Sequence, residues 1–242
     1  MVADCGTGAV LTIRVVGETG STNADLLAVA ATGAAEGQWL RAERQLAGRG
    51  RLGRNWSDGN GNLFASTIVR LRPDDPAAHT LTLVAAIALA EAVSVFAPGV
   101  ATIKWPNDLM VGEAKLSGIL LERSGEAVVV GFGVNLASHP VLPDRPTISL
   151  SAVGVTVAPD ALLRELSQRF GAWLDRWRQG GLAGIRTAWE ERAHPIGTPL
   201  RVRLPDGEAR SGRFGGLDAD GALRLIGDDN RAVVVHVGDV SA

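Results

Sequence analysis

Hydrophobic positions along this chain follow two rhythms, and the rhythm changes once. Up to about residue 192, short β-branched runs alternate with longer apolar stretches of helical period; beyond 196 only short alternating segments remain. Residues 10–16 read as a strand, and Ser21-Thr22-Asn23 opens a helix over 24–31 with Thr22 or Asn23 as its cap. Further strands are predicted at 39–43, 63–71, 101–105, 117–122 and 127–134, the last two joined by a Ser124-Gly125 turn. Residues 80–96 form an almost wholly apolar helix, which implies burial on most sides. Within 160–179, Leu162, Leu163, Leu166, Phe170, Trp173, Leu174 and Trp177 recur at three- and four-residue spacing, as the core stripe of an amphipathic helix does. A shorter helix covers 182–192.

After His194-Pro195, the segments 200–204, 209–214, 222–225 and 232–237 are separated by tight turns such as Pro205-Asp206-Gly207. Four or five short strands at that spacing predict a small barrel-like β module. The expected organisation is a large unit over 1–195 and a small one over 196–242.

Composition removes several function classes. Apolar residues at 46% and charged residues at 21% are an ordinary globular balance. A net charge of −2 argues against a general nucleic-acid binder. The single Cys5 excludes an internal disulfide and a cysteine metal cluster, and is expected to be a tail or packing residue. His79, His139, His194 and His236 are scattered without metal-ligand spacing, so no protein-ligated transition metal is expected. No signal peptide is readable, and the longest apolar run, 81–90, is about half of the ~20 residues a bilayer span needs. The expectation is a cytoplasmic protein.

Candidate chemistry concentrates in 43–56, ERQLAGRGRLGRNW, where Arg49, Arg51 and Arg54 alternate with Gly48, Gly50 and Gly53 before Trp56. Glycine lets a backbone approach an anion closely, arginine matches phosphate and carboxylate oxygens bidentately, and the indole offers a flat face for a purine. Such a loop is expected to be mobile until a ligand orders it. Arg-Gly runs also bind RNA, so the loop gains meaning from KWPNDL at 104–109, KLSGIL at 115–120 and GFGVNL at 131–136. Pro106 ends a strand and leaves Asn107 and Asp108 at its tip; Lys115 precedes an apolar strand; Gly131 and Gly133 sit in a strand interior, which glycine weakens unless something must approach closely. Together these describe a cleft rich in cationic and amide donors and poor in general bases, suited to positioning and charge stabilisation at phosphoryl groups. There is no GxxxxGK[ST] loop.

In this order and spacing, STN, ERQLAGRGRLGRNW, KWPNDL, KLSGIL and GFGVNL resemble the signature blocks of the biotin protein ligases. The resemblance spans nearly the whole chain. It implies an α+β fold: a mixed β-sheet flanked by helices, class II synthetase-like, with a small C-terminal SH3-like β-barrel. The nine residues before the first strand suggest the monofunctional type, without a DNA-binding domain. By the resemblance, Ser21, Thr22 and Gln45 hydrogen-bond biotin's ureido ring and neighbouring atoms, with Asn23, Gly48 and Arg49 in the same biotin-binding set. Gly118, Gly131 and Gly133 pack backbone against the bicycle. Arg49 and Arg51 belong to a loop that closes over biotin and the adenylate, Arg54 contacts phosphate and Trp56 stacks near adenine. Lys115 binds the biotin carboxylate and the α-phosphate, while Lys104, Asn107, Asp108 and Asn135 line the nucleotide side; Lys115, Arg51 and Asp108 form the catalytic set, Asp108 as a candidate to orient or deprotonate the acceptor amine. Implied ligands are biotin and ATP with magnesium held mainly by phosphates; the implied protein partner is a biotin carboxyl carrier domain, with no DNA and no membrane. A lipoate or octanoate ligase on a similar fold is the alternative enzyme, and an RNA-binding module the alternative of another class. The departure from the family pattern is Thr147-Ile148-Ser149-Leu150, where a compact Thr-Ser-Leu is more usual, which bears on local loop geometry.

Overall fold

The computed structural model describes residues 12–56, 59–143 and 145–241. Cys5 and the first two positions of the predicted 10–16 strand lie outside them. Along the chain come β1 (Thr12–Thr19), α1 (Thr22–Ala31), β2 (Gln38–Gln45), β3 (Leu63–Arg70), α2 (Leu81–Phe96), β4 (Thr102–Lys104), β5 (Asp108–Val111), β6 (Ala114–Ser124) and β7 (Ala127–Val134). Then follow α3 (Pro159–Gly180), α4 (Leu182–Glu190), β8 (Pro199–Arg203), β9 (Ala209–Leu217), β10 (Leu223–Ile226), β11 (Ala232–Val235) and β12 (Asp239–Ser241).

The first seven strands form one mixed sheet in the order β1-β2-β3-β7-β6-β5-β4, with β1 and β2 parallel and the other neighbours antiparallel. Strand alternation sends side chains to two faces. Leu63, Ala65, Val69, Val128, Val130, Phe132 and Val134 join the large core with α2, α3 and α4, whereas Ile68, Ala127 and Val129 pack with Leu26 and Ala30 of α1. The central strands are therefore apolar on both faces, as a sheet between two helical layers requires. The segment 131–134 breaks this on the α1 side, where Gly131 and Gly133 replace side chains and leave room for a cleft.

Helix α2 is apolar around most of its circumference because α3, α4 and the sheet enclose it; eleven of its residues are buried, and its one charged residue, Glu91, is paired with Arg169 and Arg192. Counted with the preceding 3-10 turn it spans 19 residues, longer than the apolar run read from the sequence, and is long and apolar enough by composition to cross a membrane. Its 67% burial inside the fold accounts for that composition as a core helix.

The C-terminal strands form an antiparallel sheet in the order β11-β10-β9-β8-β12. The predicted 232–237 strand is two features: β11 stops at Val235, and the chain passes through Gly238 into β12, which pairs with β8. A Cβ on Gly238 would stand 2.7 Å from Val202 Cγ1, so the crossing needs glycine. This unit shares the main core. Trp189 meets Phe214 edge-on at 6.3 Å, Leu217 N donates to Glu190 Oε1 at 2.7 Å, and Trp105 Nε1 donates to the Gly221 carbonyl at 3.3 Å. The last contact ties the C-terminal sheet to the KWPND segment, which fixes one wall of the cleft.

Candidate active site

A cleft of about 1120 Å³ runs along the α1 side of the sheet and is closed at one end by the C-terminal unit. Most of the polar blocks named from the sequence converge there: Ser21, Thr22, Asn23, Gln45, Arg49, Arg51, Arg54, Trp56, Lys104, Asn107, Asp108, Lys115, Gly118, Gly131, Gly133 and Asn135 all line it.

At one end stands the start of α1. Its cap is Ser21, not Thr22 or Asn23: Ser21 keeps extended backbone angles and its side chain accepts from Ala24 N. Thr22 and Asn23 are already helical, so both side chains turn into the sheet instead of capping. Thr22 N and Oγ1 lie 2.8 and 3.0 Å from Gln45 Oε1, and Ser66 Oγ reaches Asn23 Oδ1 at 2.6 Å. Ser21→Ala is expected to cost about 0.5–1 kcal/mol through the cap, the lower part of the usual range because the capping bond is 3.4 Å long; thermal denaturation checks it.

The glycines form the floor. A Cβ on Gly131 would lie 2.1 Å from Asn23 Oδ1, and one on Gly133 2.4 Å from Trp56 Cε2. Trp56 therefore lies across Gly133 and also Gly118, whose added Cβ would meet its Cζ3 at 3.0 Å. The indole covers the glycine surface that the resemblance assigns to the bicycle, with Lys115 Nζ 5.6 Å from its ring centre.

Lys115 owes its direction to a bulge. Asp108 pairs with Gly118 and Leu109 with Ser117, but Met110 pairs with Lys115, so Leu116 is an extra residue in β6. The bulge brings Lys115 onto the face of Asp108 and Gly118, which strict alternation would deny it, and Leu116 is fully buried. Neighbouring backbone pins it: Lys115 N donates to the Pro146 carbonyl, Ile148 N donates to the Lys115 carbonyl, and the Asn135 amide donates to the Lys115 and Ile148 carbonyls. The atypical 147–150 segment thus serves as a splint for the lysine. Lys115 Nζ donates to Asp108 Oδ1 at 2.6 Å, and Lys104 Nζ lies 3.9 Å from Oδ2. Both oxygens of Asp108 face ammonium groups. Burial pushes the Lys104 pKa down, Asp108 opposing and Lys115 reinforcing.

The Arg-Gly loop is a small hairpin. Arg49 and Asn55 bridge, Gly50 N donates to the Arg54 carbonyl, and Gly53 turns the chain at φ +72°. A Cβ on Gly48 would lie 2.8 Å from the Trp56 carbonyl oxygen. Each arginine is held from a different side: Arg49 by Glu122 at 3.2 Å, Arg51 by Asn107 Oδ1 at 3.2 Å, Arg54 by Asp239 at 3.0 Å. Burial lowers the Arg51 pKa from its usual value, with Asp239 and Asp108 opposing. Burial raises Asp239, but the Arg54 hydrogen bond and charge, then Arg51 and Arg145, hold it below the usual carboxylate value.

Several contributors were missed in the sequence. Asp108 begins β5 instead of ending a strand, because Pro106 lies in a tight turn between two antiparallel strands and β5 returns along β4. Glu122, Ser66, His194 and Asp239 had no linear signal; topology alone brings them to the cleft or its supports. His194 is half-buried beside Lys104, its pKa lowered by burial and then by that charge, and its Nε2 makes no hydrogen bond among the described residues. Among the described residues no group of three or more His, Cys, Asp or Glu is placed to hold a metal ion.

Comparison with known proteins agrees with this geometry. The Biotin/lipoate A/B protein ligase family matches residues 21–136, and the Biotin protein ligase C terminal domain matches 196–242. The chain is 41% identical to the biotin–acetyl-CoA-carboxylase ligase of Paracoccus denitrificans, covering 91% of this chain and 96% of that one. It is 40% identical to the ligase of the same name from Mycobacterium tuberculosis, covering 94% and 88%. The fold superposes on biotin protein ligase from Aquifex aeolicus in complex with biotin and ATP with a TM-score of 0.84 at 22% identity, covering 95% of this chain and 98% of the other. A mixed sheet between helical layers, a glycine-floored cleft with a bulged lysine, and relatives at this identity over almost their full length place the chain in the biotin protein ligase family.

Proposed function

We infer that the protein activates biotin with ATP as biotinyl-5′-AMP and passes the biotinyl group to a lysine of a biotin carboxyl carrier domain. The observation that carries this is the Lys115–Asp108 pair, set by a bulge at one end of a glycine-floored cleft whose other end is a neutral polar cluster. Biotin has the matching polarity, a carboxylate at one end and a neutral ureido ring at the other. Its carboxylate oxygen attacks the α-phosphorus and pyrophosphate leaves. The carboxylate is ionised near neutral pH and needs no base. In the second step a neutral acceptor amine attacks the mixed anhydride and AMP leaves.

Lys115 neutralises charge on the reacting oxygens. With both its oxygens facing lysines, Asp108 is assigned the placing of Lys115 in preference to removal of the acceptor's proton. Arg51 and Arg54 serve the phosphates, and Trp56 travels with their loop, exchanging Gly118 and Gly133 for the adenine face as ligand enters. Magnesium belongs to the proposal as a companion of the triphosphate. Of the carboxylates lining the cleft, Asp108 and Asp239 are engaged by Lys115 and Arg54, and Glu113 belongs to no group of three or more His, Cys, Asp or Glu among the described residues, so the donor set does not fit a protein-held ion, and no step is routed through one. The carrier domain as partner and a cytoplasmic setting, away from DNA and membrane, complete the reading; the weakly acidic charge and single cysteine fit it.

Pyrophosphate release with ATP, magnesium and either biotin or lipoate, followed by carrier addition and mass analysis of its lysine, tests the reading. Biotin-dependent release and a biotinylated carrier are expected; release with lipoate alone would overturn it. Arg51→Ala is expected to speed biotinyl-AMP dissociation about tenfold, the scale of one charge-assisted hydrogen bond. Retention of preformed intermediate through gel filtration reads this out, and wild-type retention would remove Arg51 as a lid contact.

A further inference from the structure

We propose that Glu122 is a positioning residue that sets the hydrogen-bond polarity of the ureido end of the cleft, making Thr22 and Gln45 a paired acceptor for a ligand N–H. The inference rests on the biotin reading above. Glu122 lies on β6 and touches no ligand position itself. Its Oε2 accepts from Asn23 Nδ2 at 2.8 Å, and its carboxylate also holds Arg49.

The number of hydroxyl protons fixes the direction of the network. Thr22 Oγ1 lies 3.0 Å from Gln45 Oε1, Thr22 Oγ1 lies 2.7 Å from Ser66 Oγ, and Ser66 Oγ lies 2.6 Å from Asn23 Oδ1. These three oxygen–oxygen contacts share only two hydroxyl protons. The amide orientations are fixed from outside. Gln45 must present oxygen, because the Thr22 backbone N–H donates to it at 2.8 Å. Asn23 must present its NH2 to Glu122 and the Leu120 carbonyl, so its oxygen faces Ser66. The two shortest contacts cannot stand without a proton between them. Ser66 therefore donates to Asn23, and Thr22 donates to Ser66.

The contact left without a proton is Thr22 Oγ1 with Gln45 Oε1. Both residues line the cleft, while Ser66 is fully buried behind them. Two acceptor oxygens 3.0 Å apart repel until a donor from the ligand enters. A ureido N–H supplies it. A ring offering an ether oxygen at that position would add a third lone pair and be rejected. Both Glu122 and the Leu120 carbonyl admit only the NH2 side of Asn23, and the charged 2.8 Å bond to Glu122 is the stronger of the two, so it sets the direction of the whole chain.

Glu122→Gln tests this. A glutamine can turn its own NH2 toward Asn23, which leaves the 3.3 Å bond to the Leu120 carbonyl as the remaining restraint on that amide and lets a flipped amide with a reversed chain become populated. The probes are biotin and its cyclic carbamate analogue, in which one ureido N–H is replaced by oxygen, with binding measured by calorimetry and turnover by pyrophosphate release. Wild type is expected to select biotin by roughly 10⁴-fold, as sites built around buried partners do. Glu122→Gln should raise the KM for biotin about tenfold, leave the KM for ATP within about twofold, and reduce the selectivity at least about tenfold. Gly17→Ala, on the exposed edge strand with nothing within 4 Å of the added carbon, should retain the selectivity. Unchanged selectivity in Glu122→Gln overturns the inference. So does a parallel rise of both KM values with a lowered Tm, which marks general loosening. Failure of wild type to bind biotin would instead strike the functional reading, so the two failures are distinguishable.

Discussion

Lys115→Ala is expected to slow biotinyl-AMP formation by about 2–4 kcal/mol in barrier, the range for removing one preorganised charge-stabilising donor. The size follows from the site. Lys115 has only 15% of its side chain exposed, and it is aimed by a bulge and a carboxylate instead of by solvent chance. Little reorganisation is then needed as charge develops on the reacting oxygens. The substitution has a second consequence, because Asp108, 12% exposed, would be left with Lys104 at 3.9 Å as its nearest cation. An uncompensated carboxylate in the cleft repels an incoming triphosphate. Single-turnover pyrophosphate release separates the two effects. If the loss comes from missing charge on the reacting oxygens, Lys115→Ala with Asp108→Asn stays as slow as Lys115→Ala. If it comes from the stranded carboxylate, the double variant recovers most of the rate. A wild-type rate in Lys115→Ala would take the residue out of the chemistry.

How far the sequence carried the reading depended on whether a feature was local. Helix α3 was readable to within a residue or two at each end because Leu162 through Trp177 keep one stripe over about four turns. Strands β3 and β7 were readable as short β-branched apolar runs bounded by turn residues, continuous instead of alternating because both faces are buried. The hairpin from β4 to β5 was not, since Trp105-Pro106-Asn107 looks like an end until the return pairing is known. The cap of α1 was placed one or two residues late, because Ser21, Thr22 and Asn23 all suit a cap; backbone angles chose Ser21 and released the other two to the cleft. The glycines and arginines of the loop announced a phosphate-facing role. What holds each arginine could not be read, as Glu122, Asn107 and Asp239 lie 73, 56 and 185 positions away. Asp239 gives the C-terminal sheet a part in the cleft that its own short strands do not hint at.

Gly131→Ala is expected to weaken biotin binding more than tenfold and to cost about 1–3 kcal/mol of stability, the usual penalty for overpacking a tight site. A strand glycine is ordinarily a weakness that alanine relieves. Here the new methyl would stand 2.1 Å from Asn23 Oδ1, far inside contact distance. Neither side can yield cheaply. Gly131 sits in β7 between Ser66 and Leu120, so its backbone is held by strands on both edges. Asn23 is held by Ser66, the Leu120 carbonyl and Glu122. The side chain with less backbone to move is Asn23, and its displacement breaks the chain of hydrogen bonds that orders Thr22. Gly17→Ala provides the contrast: on the exposed edge strand β1, with nothing within 4 Å of the added carbon and no left-handed backbone, it is expected to leave stability within about 0.5 kcal/mol and biotin affinity unchanged. Calorimetric biotin titration and thermal denaturation of both variants decide the matter. Weakened binding in Gly131→Ala alone would mean that the cleft needs bare backbone at this position, both to seat Asn23 and to floor the ligand site. Equal affinity in both variants would mean that Asn23 can move without cost to the ligand, and that the network behind it serves the fold and not recognition.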